Sequence, residues 1–180
     1  MKTLVIHPKD ITTDFLKPIY SNIKDAKVIV GGGDTSRITN YLKENDRLMF
    51  MGHGSPNGLF SIGKFNTGVY VVGEWCVDQL AVGKENVYIW CNADKFVTRY
   101  RLKGFYTGMF ISEVAEARFC GLDGVTQDIV DESNETFATL LGSVITLPKL
   151  ELYKSIKSSY GALAKSNPVA KYNWNRLYVS

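Results

Sequence analysis

The sequence predicts an α/β fold, a mostly parallel sheet of about six strands with helices on both faces. Three observations carry that reading. Short apolar or β-branched runs at Thr3–Ile6, Lys27–Val30 and Arg47–Met51 alternate with segments of helical periodicity. Two runs, Leu48–Met51 and Val87–Trp90, lack the polar alternation of a half-exposed strand, as strands buried on both faces do. Glycines follow two of the runs directly, at Gly31–Gly33 and Gly52, where a parallel strand must hand over to a turn.

Taken in order, Thr3–Ile6 is the first strand, and Pro8 ends its pairing. Thr12 or Thr13 caps a helix over Asp14–Asn22. Lys27–Val30 is the second strand, and Asp34 or Thr35 caps a helix running to about Asn45. Arg47–Met51 is the third strand and leads into Gly52-His53-Gly54. The segment after it is different: Leu59–Ile62 and Gly68–Val72 read as a hairpin with its tip at Lys64–Thr67. Glu74–Val82 reads as a helix, and Asn86–Trp90 as the fourth sheet strand, delivering Cys91. Asn92–Lys103 reads as a loop or irregular helix, and Thr107–Phe119 as a helix. Val125–Val130 (VTQDIV) reads as the fifth strand, followed by helices over about Asp131–Val144 and Leu152–Lys165. Trp174–Val179 closes the sheet.

The chain has 180 residues, which suits one domain over 1–180 with a sizeable core. Its net charge of +3, with cations scattered, argues against nucleic acid and membrane as partners. No run approaches the roughly 20 apolar residues of a membrane span. The start, MKTLVIHPKD, reads as a strand and not as a signal peptide. Three cysteines, Cys76, Cys91 and Cys120, read as free thiols of a reducing compartment, and the expected location is the cytoplasm. No Cys/His cluster has metal-ligand spacing, so neither metal nor other cofactor is expected. Cys76 and Cys120 lie in helical apolar patterns and read as core. His7 reads as a structural residue beside Pro8, and Gly31–Gly33 as a tight turn lacking phosphate-loop spacing.

In a parallel sheet, reactive groups collect beyond the carboxyl ends of the strands. His53 and Cys91 both hold such positions. A thiol becomes a strong nucleophile when a neighbouring imidazole takes its proton, and that imidazole can later protonate a leaving amine.

An apolar strand ending in His53-Gly54, followed by one ending in Cys91, resembles the three-layer caspase-like fold of the clan CD cysteine peptidases. That clan includes caspases, metacaspases, gingipains, clostripain, separase and CHAT domains. The nearest pattern is that of the CHAT, gingipain and clostripain types. The stretches Gly108–Phe119, Gly124–Val130 and Asp131–Val144, and the terminal NRLYV, resemble the part of those domains beyond the cysteine. The resemblance implies a cysteine endopeptidase acting through a thioester acyl-enzyme on a protein or peptide substrate. It implies His53 as general base and acid, Cys91 as nucleophile, and the Gly54 and Cys91 amides as oxyanion hole. Trp90 differs from the small residue that many members carry before the cysteine.

The family builds its first substrate pocket from the loops after the first, the cysteine-bearing and the fifth strands. Asp10, Asp94 and Asp128 lie in or near those loops and favour a basic residue before the scissile bond. Lys9 and Arg99 lie in two of the same loops and argue for an acidic one. The alternative function is a catalytically inactive caspase-like module that binds a peptide or partner protein. A third reading, a flavodoxin-like nucleotide binder, places a phosphate or flavin near Gly31–Gly33.

Overall fold

The computed structural model describes residues 1–62, 64–82 and 85–180. Its centre is a six-stranded sheet. Strands β1 (Thr3–Ile6), β2 (Lys27–Ile29), β3 (Arg47–Met51), β7 (Asn86–Ile89), β8 (Gly104–Thr107) and β9 (Leu177–Val179) run in the order β2-β1-β3-β7-β8-β9. All neighbouring pairs are parallel except β8 with β9. A smaller antiparallel sheet, β4 (Gly54–Ser55), β5 (Gly58–Phe60) and β6 (Tyr70–Gly73), leaves the end of β3. Its β5 and β6 form the expected hairpin, with Leu59 opposite Val72, and β4 is added at its edge; Gly63, between the hairpin's strands, lies outside the described residues.

The period-two geometry of the strands divides the core between the two faces. Val5, Met49, Met51, Val87, Ile89 and Phe105 pack against the 3₁₀ helix Ile11–Ile19 and against three helices. These are α5 (Gln127–Val144), α6 (Lys149–Leu163) and α7 (Pro168–Trp174). Leu4, Ile6, Leu48, Phe50, Tyr88 and Trp90 pack on the opposite face. There they meet α1 (Thr35–Glu44), α2 (Val77–Leu80), α3 (Ala93–Arg99) and the small sheet. Every residue of β3 is buried, which explains the unbroken apolar run of Leu48, Met49, Phe50 and Met51 after Arg47. Each of these four apolar side chains contributes about 1.5–3 kcal/mol of burial.

The first three strands match the expected bounds closely, and Asp34 caps α1 by accepting from the Arg37 N–H at 2.9 Å. The first helix differs. Its cap is Asp10, not a threonine, and it is 3₁₀ with Pro18 inside. The expected helix over Glu74–Val82 is a 3₁₀ turn, Glu74–Cys76, followed by the single-turn α2.

The fifth strand is a correction. Residues 127–130 form the first turn of α5, and the parallel strand beside β7 is β8. Val130, Ser133, Asn134, Phe137, Ala138 and Leu141 make one buried helical stripe, and that stripe overrides the β-branched composition of VTQDIV. Only Val114–Phe119 of the expected Thr107–Phe119 helix is helical (α4), and within Asn92–Lys103, expected as a loop or irregular helix, Ala93–Arg99 is α3. Between β8 and α4 the chain is pinned by the buried Asn173. Its Oδ1 accepts from the Ile111 N–H at 2.7 Å, and its Nδ2 donates to the Ile111 carbonyl at 2.8 Å. No helix among the described residues is long and apolar enough to cross a membrane.

Candidate functional site

Met51 of β3 and Ile89 of β7 are register partners in adjacent parallel strands. The Gly52 N–H extends the ladder one step further, donating to the Ile89 carbonyl at 3.1 Å. His53 and Cys91 each lie two residues beyond that register pair, so the sheet delivers them side by side. Gly52 turns the chain at a φ of 141°, a conformation suited to glycine. His53 and Cys91 both line one small cavity, together with Phe15, Phe110 and Ser112.

The His53 ring is held from its outer side. Nε2 lies 2.6 Å from Thr12 Oγ1, and that hydroxyl donates to Asp10 Oδ1 at 2.8 Å. Asp10 Oδ1 also accepts from the Thr12 N–H at 2.9 Å. The backbone and side-chain hydrogen bonds from Thr12 hold the Asp10 carboxyl below its ordinary pKa, with His53 adding to the effect. The carboxylate is therefore an acceptor only, and it takes the single proton of the Thr12 hydroxyl. Thr12 Oγ1 must then accept from His53 Nε2–H. A neutral imidazole so arranged keeps its lone pair on Nδ1.

Cys91 shows a different pattern. Its thiol donates to the Phe110 carbonyl at 3.3 Å and lies 3.8 Å from Glu116 Oε1. Glu116 is fixed in turn: Oε2 accepts from the Ser112 N–H at 2.7 Å, Ser112 Oγ at 3.0 Å and the Glu113 N–H at 3.2 Å. Burial, and after it the Glu116 carboxylate, push the Cys91 thiol up to about 12. The resting sulfur is therefore protonated at neutral pH, and among the described residues no hydrogen bond joins it to His53.

Backbone donors are placed beside the two side chains. The Phe60 N–H donates to the His53 carbonyl at 2.9 Å, and Gly54 pairs with Leu59. Antiparallel alternation then turns the Gly54 N–H away from β5. The Cys91 N–H has no hydrogen-bond partner among the described residues. Both amides are thus available to a developing oxyanion.

Trp90 does not stand free in the cleft. It is 1% exposed, meets Tyr88 and Phe96 edge-on, and donates from Nε1 to the Ser55 carbonyl at 3.0 Å. Its ring lies against Gly54, where a Cβ would overlap it. The Cys-bearing strand is thereby tied to the glycine after His53.

The three aspartates separate. Asp10 backs His53 through Thr12. Asp94 sits in the first turn of α3 with a buried Oδ1 that has no partner among the described residues. Asp128 is exposed in the first turn of α5. Neither Asp94 nor Asp128 lines the His53–Cys91 cavity. Sequence reasoning does not assign Thr12 or Glu116 to the site. The spacing Glu113-x-x-Glu116, which forms a capping box on α4, is the one legible sign of the second.

The other chemistry-bearing features stand apart. His7 is 2% exposed, bonded to Tyr20 and Thr13, and burial lowers its pKa to about 4. Gly31–Gly33 is turned toward the 64–66 segment: the Gly32 N–H donates to the Lys64 carbonyl, and the Asn66 N–H to the Gly33 carbonyl. Cys76 is buried among the residues packed on β3 and β7. Among the described residues no three His, Cys, Asp or Glu side chains are grouped to hold a metal ion. No protein-family model matches the chain, and neither does any curated protein or solved structure.

Proposed function

We propose that the chain is a caspase-like cysteine endopeptidase, with protein or peptide chains as its substrates and His53 and Cys91 as its dyad. One observation carries the reading. An imidazole and a thiol share one cavity at the carboxyl ends of adjacent, in-register strands. In the reaction, Cys91 exchanges the Phe110 carbonyl for His53 Nδ1 as its acceptor. His53 takes the thiol proton as sulfur attacks the scissile carbonyl, and the Gly54 and Cys91 amides receive the oxyanion. Collapse breaks the C–N bond, and His53 gives its proton to the leaving amine. Water, deprotonated by the same imidazole, then cleaves the thioester and restores the thiol.

The test is a thiol-directed peptide probe with mass-spectrometric readout. Labelling is expected at Cys91, and it should fall sharply in His53→Ala. Undiminished labelling in that variant contradicts the activation.

A second reading has its own support. The Phe110 carbonyl and Glu116 hold the sulfur as a thiol, which suits a peptide-binding module that does not cleave. Peptide binding with unchanged affinity in Cys91→Ala, and no turnover by the unmodified protein, favours that module.

A further inference from the structure

The chain has two histidines, and they follow adjacent parallel strands at the same end of the sheet: His7 after β1 and His53 after β3. His7 lies outside the dyad cavity and takes no part in the proposed reaction. A buried imidazole still needs a reason, since a phenyl ring would fill the space without polar groups to satisfy. The turn between the two rings, Asp10–Thr13, supplies one.

Two chains of hydrogen bonds meet on Asp10. In the first, the Tyr20 hydroxyl lies 2.9 Å from His7 Nδ1, and His7 Nε2 lies 3.0 Å from Thr13 Oγ1. Thr13 Oγ1 then donates to the Asp10 carbonyl at 3.2 Å. In the second, His53 Nε2 lies 2.6 Å from Thr12 Oγ1, which donates to Asp10 Oδ1 at 2.8 Å. A hydroxyl has one proton to give, so Thr13 accepts from His7 Nε2–H as Thr12 accepts from His53 Nε2–H. Both chains run toward one residue, the first to its carbonyl and the second to its carboxylate.

The two ends are not held equally. The Asp10 and His53 side chains are partly exposed, and their hydrogen bonds compete with water. His7 and Thr13 are buried, and the Tyr20 ring stands edge-on to His7. The His7 N–H donates to the Ile29 carbonyl at 3.0 Å, and the Lys9 N–H to the Val30 carbonyl at 2.9 Å, which ties the entry to the turn to the neighbouring strand. A buried polar network with its members paired is rigid, so the anchored end sets where the exposed end lies. Charge reports the same neighbourhood: a proton on either imidazole favours the ionised Asp10 carboxyl.

We infer that His7 is a positioning residue for the dyad base. Through Thr13 it holds the Asp10 backbone in place, so that the Asp10 carboxylate and Thr12 keep His53 in its Nε2–H form. The consequence for cleavage rests on the peptidase reading, whereas the tautomer of His53 does not.

The test reads the imidazole ¹⁵N spectrum of the full chain at a pH where His53 is neutral. It compares three variants with the unmodified protein, and thermal melting checks that each is folded. His7→Phe fills the space of the ring but bonds neither Tyr20 nor Thr13. Thr13→Val keeps His7 and cuts the link. His7→Gln can still donate to Thr13 and accept from Tyr20. The Nδ1–H fraction of His53 is expected to rise roughly threefold to tenfold in His7→Phe and in Thr13→Val, the scale of one lost hydrogen bond. It should rise less in His7→Gln. Should His7→Phe fail to fold, Thr13→Val decides alone. An unchanged His53 spectrum in folded variants overturns the role and leaves His7 a core residue. Adding His7→Phe to Thr12→Val should change the spectrum no further, and a further change overturns the route through Asp10. In peptide cleavage, kcat should fall in step with the Nε2–H fraction at nearly constant KM. A shifted spectrum in a chain that cleaves no peptide supports the positioning and overturns the peptidase.

Discussion

The Thr12 hydroxyl lies 2.6 Å from His53 Nε2 and hands its own proton to Asp10, so it fixes which imidazole nitrogen is basic. Breaking that link should misplace the base without removing it. On the proposed peptidase reading, Thr12→Val is expected to lower kcat by roughly tenfold to a hundredfold, less than removing His53 as general base. KM should change little. The imidazole ¹⁵N spectrum reports the cause directly: the unmodified protein should show the Nε2–H form of His53, and Thr12→Val a mixture of tautomers. An unmixed Nε2–H spectrum in the variant would remove Thr12 from this role.

Glu116 acts on the sulfur in the opposite sense from a catalytic base. Its carboxylate stands near the Cys91 thiol and, after burial, is the next cause of the raised pKa. A thiol of pKa about 12 is ionised in roughly one molecule in 10⁵ at pH 7. Alkylation of Cys91 by iodoacetamide should therefore keep rising to at least pH 10 with no plateau. Glu116→Gln removes the negative charge, so the thiol should ionise more readily and labelling at pH 8 should rise. Each tenfold gain in labelling corresponds to a thiolate made easier to form by about 1.4 kcal/mol. Thermal melting of the variant checks that Ser112 and Glu113 keep their places without the charge. Equal labelling of both proteins across the pH range would show that burial alone sets the thiol.

Gly54 is constrained by the side chain before the cysteine. A Cβ there would overlap the Trp90 ring and come within 2.6 Å of the Gly58 carbonyl oxygen. Neither neighbour is the free end of a flexible chain. Gly54→Ala is expected to destabilise the fold by about 1–3 kcal/mol, the usual range for overpacking. Trp90→Phe should cost a comparable amount, through the lost bond to the Ser55 carbonyl and the space left by the smaller ring. Because the two residues touch, Gly54→Ala should cost less in the Trp90→Phe background. Urea denaturation of the four proteins gives the comparison, and strict additivity would show that the ring does not dictate the glycine.

The sheet is legible in the sequence because its buried strands carry unbroken apolar runs, and Arg47–Met51 has the same bounds in sequence and structure. His53 and Cys91 are legible because a parallel sheet exposes the residues just past its strand ends. Gly104–Thr107 is not legible as a strand. It is short, and its aromatics resemble those of the helices around it; only the pairing with β7 and β9 makes it a strand. VTQDIV misleads for the converse reason, since its buried Val125 and Val130 pack against Ile111, Ala117 and Val169, residues distant along the chain.

His7 gives a prediction about stability that is separate from catalysis. It is buried with Tyr20 and Thr13 on its two nitrogens, and burial lowers its pKa from 6.5 to about 4. Thr13 Oγ1 donates to the Asp10 carbonyl at 3.2 Å, so it accepts from His7 Nε2–H, and Tyr20 donates to Nδ1. Both partners thus suit the neutral ring. In the unfolded chain His7 gains a proton near pH 6.5, whereas in the folded chain it resists protonation down to about pH 4. The unfolded state therefore binds more protons across that window, and stability must fall as the pH falls through it. The loss attributable to His7 should approach about 3 kcal/mol near pH 4 and be absent above pH 7. His7→Gln retains a polar side chain but cannot titrate. It should be less stable than the unmodified protein at pH 7.5 and lose less on acidification, so the two stability curves converge toward pH 4. Urea denaturation at half-unit pH steps measures both, and curves that stay parallel would mean that the ring does not carry this part of the acid sensitivity.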